Sequence, residues 1–187
     1  MDADSARHAP AQLVRRLCST RSGNITMSLI SKLLERQAAG RPIRVGLIGA
    51  GKFGAMFLAQ VPRTPGMHIV GIADLSVTNA RASLDRVGWA PEQSQASSLD
   101  EAIANGTTHI TDSWEKLVSF GQIDVIVECT GNPIVAVEHC LSSFDAGKHV
   151  VNVTVEADAF CGPLLARRAS EAGVVYSLAF GDQPALI

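Results

Sequence analysis

A strand-length apolar run that leads straight into closely spaced glycines, and from there into a helical pattern, sets the narrowest limits on how this chain can fold. The run is Arg44-Val-Gly-Leu-Ile48, followed without a spacer by Gly49-Ala-Gly51-Lys52-Phe53-Gly54 and a helix expected over 53–61. Three glycines at this spacing answer three steric demands. Gly49 permits a tight turn, Gly51 leaves the backbone bare where a ligand could approach, and Gly54 lets the helix lie close on the strand. The N–H groups at the helix start are then free to face an anion such as a pyrophosphate. The competing reading is a glycine-rich βα turn that binds nothing.

The next apolar run, Ile69-Val-Gly-Ile-Ala-Asp74, ends in an acid 20 residues after Gly54, the separation at which a strand-end carboxylate meets the adenosine ribose of a dinucleotide. An ordinary strand-end acid or helix N-cap would look the same in isolation. A carboxylate there repels a 2′-phosphate and favours NAD, whereas Ser76 and Arg81, close behind it, could offset that repulsion for NADP. The expected cofactor set is therefore Gly49, Gly51, Lys52, Phe53 and Gly54 in the turn, with Asp74, Ser76 and Arg81 at the ribose. The expected ligand is a pyridine dinucleotide, NADP with NAD as the alternative.

Six short apolar runs alternate with helix-length segments from Ile43 onward: Ile43–Ile48, 68–73, 108–111, 123–129, 148–153 and 174–178. Several are nearly continuous in Val and Ile, as strands covered on both faces must be. Helices are expected at 53–61, 77–87, 99–104, 114–118, 133–146 and 159–172, with Ser98, Ser113 and Asn132 as N-caps and Gly147 and Gly173 just past helix ends. This alternation predicts an α/β fold of Rossmann type, a doubly wound, mostly parallel sheet with helices on both faces.

Two further strand ends carry polar groups. The run Ile123-Asp-Val-Ile-Val-Glu-Cys129 passes through Thr130, Gly131 and Asn132 to Pro133, and ligands of doubly wound sheets sit beyond such carboxyl ends. Thr130, Gly131 and Asn132 are expected at the nicotinamide, with a plain N-cap at Asn132 as the rival. After 148–153 come Thr154, Glu156 and Asp158, and the two acids, two residues apart, are catalytic candidates that could converge on a metal or serve as acid and base if the backbone is irregular there. Cys129 reads as a small core residue and His149 as structural.

Composition narrows the function classes. The 187 residues are 47% hydrophobic and 18% charged, with a net charge of −2 and no block of like charge longer than two, which argues for a globular domain without a nucleic-acid face. No apolar run approaches the roughly 20 residues of a membrane span. Cys18, Cys129, Cys140 and Cys161 are widely spaced, and reduced, cytoplasmic thiols are expected. Residues 1–27 show no convincing period and are expected to be a disordered or non-native extension, leaving 28–187 as the dinucleotide-binding domain. The final Gly181-Asp-Gln-Pro-Ala-Leu-Ile187 looks like the start of a helix, so the chain is expected to be the front part of a longer enzyme or a shortened reading frame.

Taken together, 43–54, Val127-Glu-Cys-Thr-Gly-Asn-Pro133, 152–158 and Gly181-Asp-Gln-Pro184 resemble the homoserine-dehydrogenase-like oxidoreductases, and within them the branch similar to 1-deoxy-D-xylulose 5-phosphate reductoisomerase. The resemblance spans about Ser28 to Ile187. It implies an NADPH-linked reductoisomerase of isoprenoid precursor synthesis acting on a small-molecule substrate, with a metal-dependent catalytic domain beyond this chain. A homo-oligomer is the expected assembly. Homoserine dehydrogenases carry a lysine just after the strand at 148–153, where this chain has Thr154, Val155 and Glu156. A homoserine-dehydrogenase-type oxidoreductase and a non-catalytic nucleotide-binding module are the alternatives.

Overall fold

The computed structural model describes residues 28–179, so the expectations for residues 1–27, for Cys18 and for the segment 181–187 lie outside the described residues. Six strands form one parallel sheet: β1 (Ile43–Ile48), β2 (Met67–Ala73), β3 (His109–Thr111), β4 (Val125–Glu128), β5 (His149–Asn152) and β6 (Tyr176–Leu178). Their order is β3-β2-β1-β4-β5-β6. The chain therefore winds outward from the middle in both directions, and the switch point falls between β1 and β4. This is the Rossmann-type α/β fold. The paired strands are mostly shorter than the apolar runs because flanking residues turn off into loops: the Ile123 N–H returns to the Phe120 carbonyl and the Lys148 N–H to Ser143.

Among the described residues the α-helices are α1 (Leu29–Ala38), which precedes β1, and α2 (Lys52–Gln60), α3 (Val77–Arg86), α4 (Leu99–Asn105), α5 (Trp114–Ser119), α6 (Pro133–Asp145) and α7 (Val155–Glu171), which lie between the strands. The chain divides into compact units after Lys32, and the whole sheet lies in the second, Leu33–Ile187. Side-chain oxygens cap α3, α4, α5 and α6: Ser76, Ser98 and Ser113 accept from the amides of Asn79, Glu101 and Lys116, and Asn132 accepts from those of Ile134 and Val135. Gly147 and Gly173 follow α6 and α7 with φ of 70° and 69°, the conformation that ends a helix cheaply only for glycine.

Alternation along the strands feeds two cores. Val45 and Leu47 of β1 pack with Leu58, Ile69, Ile72, Leu84 and Val127 under α2 and α3, while Ile48 joins Val70, Leu117, Ile126, Phe144 and Leu165 under α4 to α7. Leu47, Leu58, Ile126 and Leu165 are fully buried, each contributing about 2 kcal/mol of transfer free energy. Helix α7 corrects the expected start at 159. It begins at Val155, and its backbone leaves helical geometry at Cys161, just ahead of Pro163, whose ring and missing N–H break the ladder there. Among the described residues no helix is long and apolar enough to cross a membrane.

Candidate functional site

The glycine turn sits at the switch point, and its three glycines prove to be needed for different reasons. Gly49 has φ of 97°, and a Cβ there would lie 2.8 Å from the Cys129 carbonyl oxygen of the neighbouring β4 turn. A Cβ on Gly54 would lie 2.3 Å from the Gly49 carbonyl oxygen. Both are demanded by the protein's own packing. Gly51 is not: its φ is −69°, and a Cβ there would meet nothing within 4 Å. No side chain caps α2, and the first intrahelical amide bond runs from Ala55 back to Gly51. Among the described residues the N–H groups of Gly51, Lys52, Phe53 and Gly54 have no partner. A bare Cα facing open space beside four free amides fits a pyrophosphate.

Asp74 lies directly beside this turn. Its Oδ2 accepts from the Ala50 amide at 2.8 Å and its Oδ1 from the Ser76 amide at 2.9 Å, so the carboxylate ties the glycine turn to the start of α3 and keeps a free lone pair on each oxygen. It lies between two concavities. One, of about 480 Å³, is lined by Ile48, Gly49, Gly51, Asp74, Trp114, Thr130, Asn132 and His139 among others. The other runs along α2 and α3 past Lys52, Asn79 and Arg86. Arg81 lines neither. Its Nη1 donates to the Ser94 carbonyl at 3.3 Å, which separates it from the rest of the expected ribose corner. Ser76 spends its hydroxyl on capping α3.

The turn after β4 is held differently. Glu128, 0% exposed, closes an apolar strand and would be costly there without partners. Its Oε1 accepts from the Thr130 amide and hydroxyl at 3.2 and 2.5 Å and lies 3.3 Å from His139 Nδ1, while its Oε2 accepts from the Thr154 hydroxyl at 2.5 Å. Thr154 in turn accepts from the Gly131 amide at 3.0 Å. Burial pushes the Glu128 carboxyl up, but the bonds from His139, Thr130 and Thr154 together outweigh it and hold the group below the usual carboxylate range. One carboxylate thus joins β4, its turn, α6 and the β5–α7 junction. Sequence reasoning missed both Glu128 and His139. A charged residue ending the apolar run 125–128 was the available signal, because such a group must find partners.

Thr130, Gly131 and Asn132 do not act as one patch. Thr130 and Asn132 line the cavity shared with Asp74 and Trp114, whereas Gly131 lines a smaller one of about 240 Å³ with Phe53, Val153, Thr154 and Glu156. Asn132 is also the N-cap of α6, as the rival reading had it. Cys129 behaves as a core residue: burial first, then the neighbouring Glu128 and Asp74 charges, push its thiol up, and Sγ donates to the Gly49 carbonyl at 2.9 Å.

Glu156 and Asp158 do not converge. Both lie in the first turn of α7, where residues two apart diverge by about 200° around the axis. Glu156 is exposed and faces the smaller cavity, while Asp158 accepts from the Tyr176 hydroxyl at 3.0 Å. Among the described residues there is no group of three or more His, Cys, Asp and Glu side chains placed to hold a metal.

A family model described as the NAD-binding domain of homoserine dehydrogenase matches residues 23–177. The chain has no significant match among curated proteins. It is similar in fold to the solved structure of a homoserine dehydrogenase from Thiobacillus denitrificans, with 22% identity and a TM-score of 0.59 over 74% of this chain and 29% of that one. A levoglucosan dehydrogenase solved with NADH and L-sorbose matches with 21% identity and a TM-score of 0.51 over 74% and 35% of the two chains. For biliverdin reductase from Synechocystis, solved with biliverdin and NADP+, the values are 24% and 0.52 over 73% and 37%. The chain spans about a third of the length of these structures. With a parallel sheet wound in both directions, a glycine turn at its switch point and a family model covering most of the sequence, the chain belongs to the homoserine dehydrogenase NAD-binding domain family.

Proposed function

We propose that this chain is the dinucleotide-binding domain, residues 28–187, of an NAD(P)-dependent oxidoreductase of homoserine-dehydrogenase type. The observation that carries the reading is Gly51, a glycine that neither backbone conformation nor packing requires, set before four unpartnered amides. In this reading the amides of Gly51 to Gly54 hold the pyrophosphate and Asp74 accepts from the adenosine ribose. Gly131, Phe53 and Glu156 border the place of the nicotinamide, at the smaller cavity. The dinucleotide supplies the hydride chemistry, while the protein binds and orients it. The Asp74 carboxylate, with Arg81 turned to Ser94, favours NAD(H). Lys52 and Arg86 line the concavity beside Asp74 and are the cations available there to a 2′-phosphate.

Titration calorimetry with NADH and NADPH tests this. Binding is expected in the wild type, with a loss of at least about a hundredfold in Gly51→Val, whose side chain would fill the phosphate path. Absence of binding by either nucleotide at millimolar concentration overturns the reading. Beyond the cofactor, the family match supports the homoserine-dehydrogenase type. The reductoisomerase-like alternative is favoured by one observation, Thr154, Val155 and Glu156 in place of the lysine. A metal for that reaction would need ligands beyond the described residues, since Glu156 and Asp158 part company. Oxidation of NADH or NADPH with 1-deoxy-D-xylulose 5-phosphate, and reduction of NAD+ or NADP+ with homoserine, separate the two.

A further inference from the structure

We propose that two carboxylates, Glu128 and Glu156, make the smaller cavity hold an oxidised nicotinamide ring more tightly than a reduced one. The inference rests on the dinucleotide reading above and adds the charge preference of its nicotinamide end. The oxidised ring carries one positive charge and the reduced ring none, so a fixed negative charge beside it acts on one form alone. The cavity of about 240 Å³ meets such charge from two sides. Glu156 is exposed and borders it directly, together with Phe53, Gly131 and Thr154. Glu128 stands behind the wall, its Oε2 accepting from the hydroxyl of Thr154, so the carboxylate is bonded to a residue that lines the cavity.

Little offsets these charges on the cavity side. Among the described residues that border the cavity none is basic. Glu128 is fully buried, so water screens it little. Burial raises its carboxyl, but the bonds from His139, Thr130 and Thr154 outweigh that and keep it ionised near neutrality. His139 approaches the other oxygen, Oε1, and helps to wall the larger cavity instead. In either protonation state of His139 the pair therefore turns its negative end, Oε2, toward Thr154 and the smaller cavity. A ring seated against Thr154 stands within roughly 10 Å of this carboxylate, where a charge pair at an effective dielectric of about 20 changes affinity by about tenfold.

Titration calorimetry with NAD+, NADH and ADP-ribose tests this, at low ionic strength so that Glu156 is least screened. The wild type should bind NAD+ at least about fivefold more tightly than NADH. In Glu128→Gln, which keeps the size of the side chain and removes its charge, the ratio of the two affinities should fall by about tenfold. In Glu156→Lys it should fall by about threefold or more. That variant replaces an exposed side chain and keeps the test open where Glu128→Gln does not fold. ADP-ribose lacks the ring, and its affinity should stay within about twofold of wild type in both variants. A wild type that prefers NADH, a ratio unmoved in either folded variant, or a loss shared equally by all three ligands overturns the inference and leaves the dinucleotide reading intact. Failure of all three to bind the wild type overturns that reading itself.

Discussion

Two turns meet at the switch point of the sheet, and they are built in opposite ways. The turn after β1 is shaped by what is missing: Gly49 and Gly54 carry no Cβ because neighbouring backbone occupies that space, and Gly51 carries none although nothing in the protein occupies it. The turn after β4 is shaped by what is present. Glu128 gathers Thr130, Thr154 and His139 around one buried carboxylate. Backbone sterics act within a few residues and at close range, whereas a buried charge recruits donors from wherever the fold brings them. The first turn should therefore respond to added volume and the second to lost hydrogen bonds, and the two contact each other through Gly49 and the Cys129 carbonyl.

The largest effect is expected at the second turn. Glu128→Ala strands the His139, Thr130 and Thr154 donors and leaves a cavity, so stability should fall by roughly 3–5 kcal/mol in urea unfolding, the range for several buried donors left unpaired together with a cavity. A loss under about 1 kcal/mol would show that the carboxylate is not the organising group. At the first turn, Gly54→Ala should cost about 2–3 kcal/mol because the new methyl meets a carbonyl oxygen rather than a movable side chain. Gly51→Ala sharpens the contrast: stability should stay within about 0.5 kcal/mol of wild type, while dinucleotide affinity drops at least about tenfold. If Gly51→Ala destabilises as Gly54→Ala does, the distinction between packing glycine and ligand glycine fails.

Smaller effects test the flanks. Asn132→Ala removes the α6 cap and should cost about 1 kcal/mol in thermal or urea unfolding, with little change in the first turn. The acid limb of the stability profile reports Glu128. Its carboxyl titrates lower in the folded chain than its ordinary value of 4.5, so its ionised form stabilises the fold above that value and the contribution disappears as the pH falls through the depressed native value. Glu128→Gln should flatten urea midpoints over this acid range and leave the pH dependence near neutrality unchanged. An unaltered acid limb would place the titration elsewhere.

How far each feature was legible in the sequence follows from the range of the forces involved. The strand Ile43–Ile48, the glycine turn and the caps at Ser98, Ser113 and Asn132 are readable because turn geometry and capping act across three or four residues. The position of Asp74 beside the glycine turn was legible because a parallel βαβ unit fixes the chain length between the turn and the next strand end. Arg81 shows the limit of that logic. Its nearness in sequence to Asp74 said nothing about its direction, and on α3 it turns to the carbonyl of Ser94. Glu156 and Asp158 failed as a pair for a related reason. Once the chain enters α7 at Val155, helical rotation parts them, and Tyr176, 18 residues on, claims Asp158.

By itself, then, the sequence determined the order of elements, the two-sided sheet they must form and the place of the glycine turn, because hydrophobic periodicity and local backbone sterics are properties of neighbouring residues. Only the tertiary structure decided which polar groups share a site. Glu128 and His139 lie 11 residues apart on a strand and a helix, and Thr154 comes 26 residues after Glu128. Their meeting depends on the packing of α6 and β5 against β4, and a buried carboxylate takes the donors that packing places within reach.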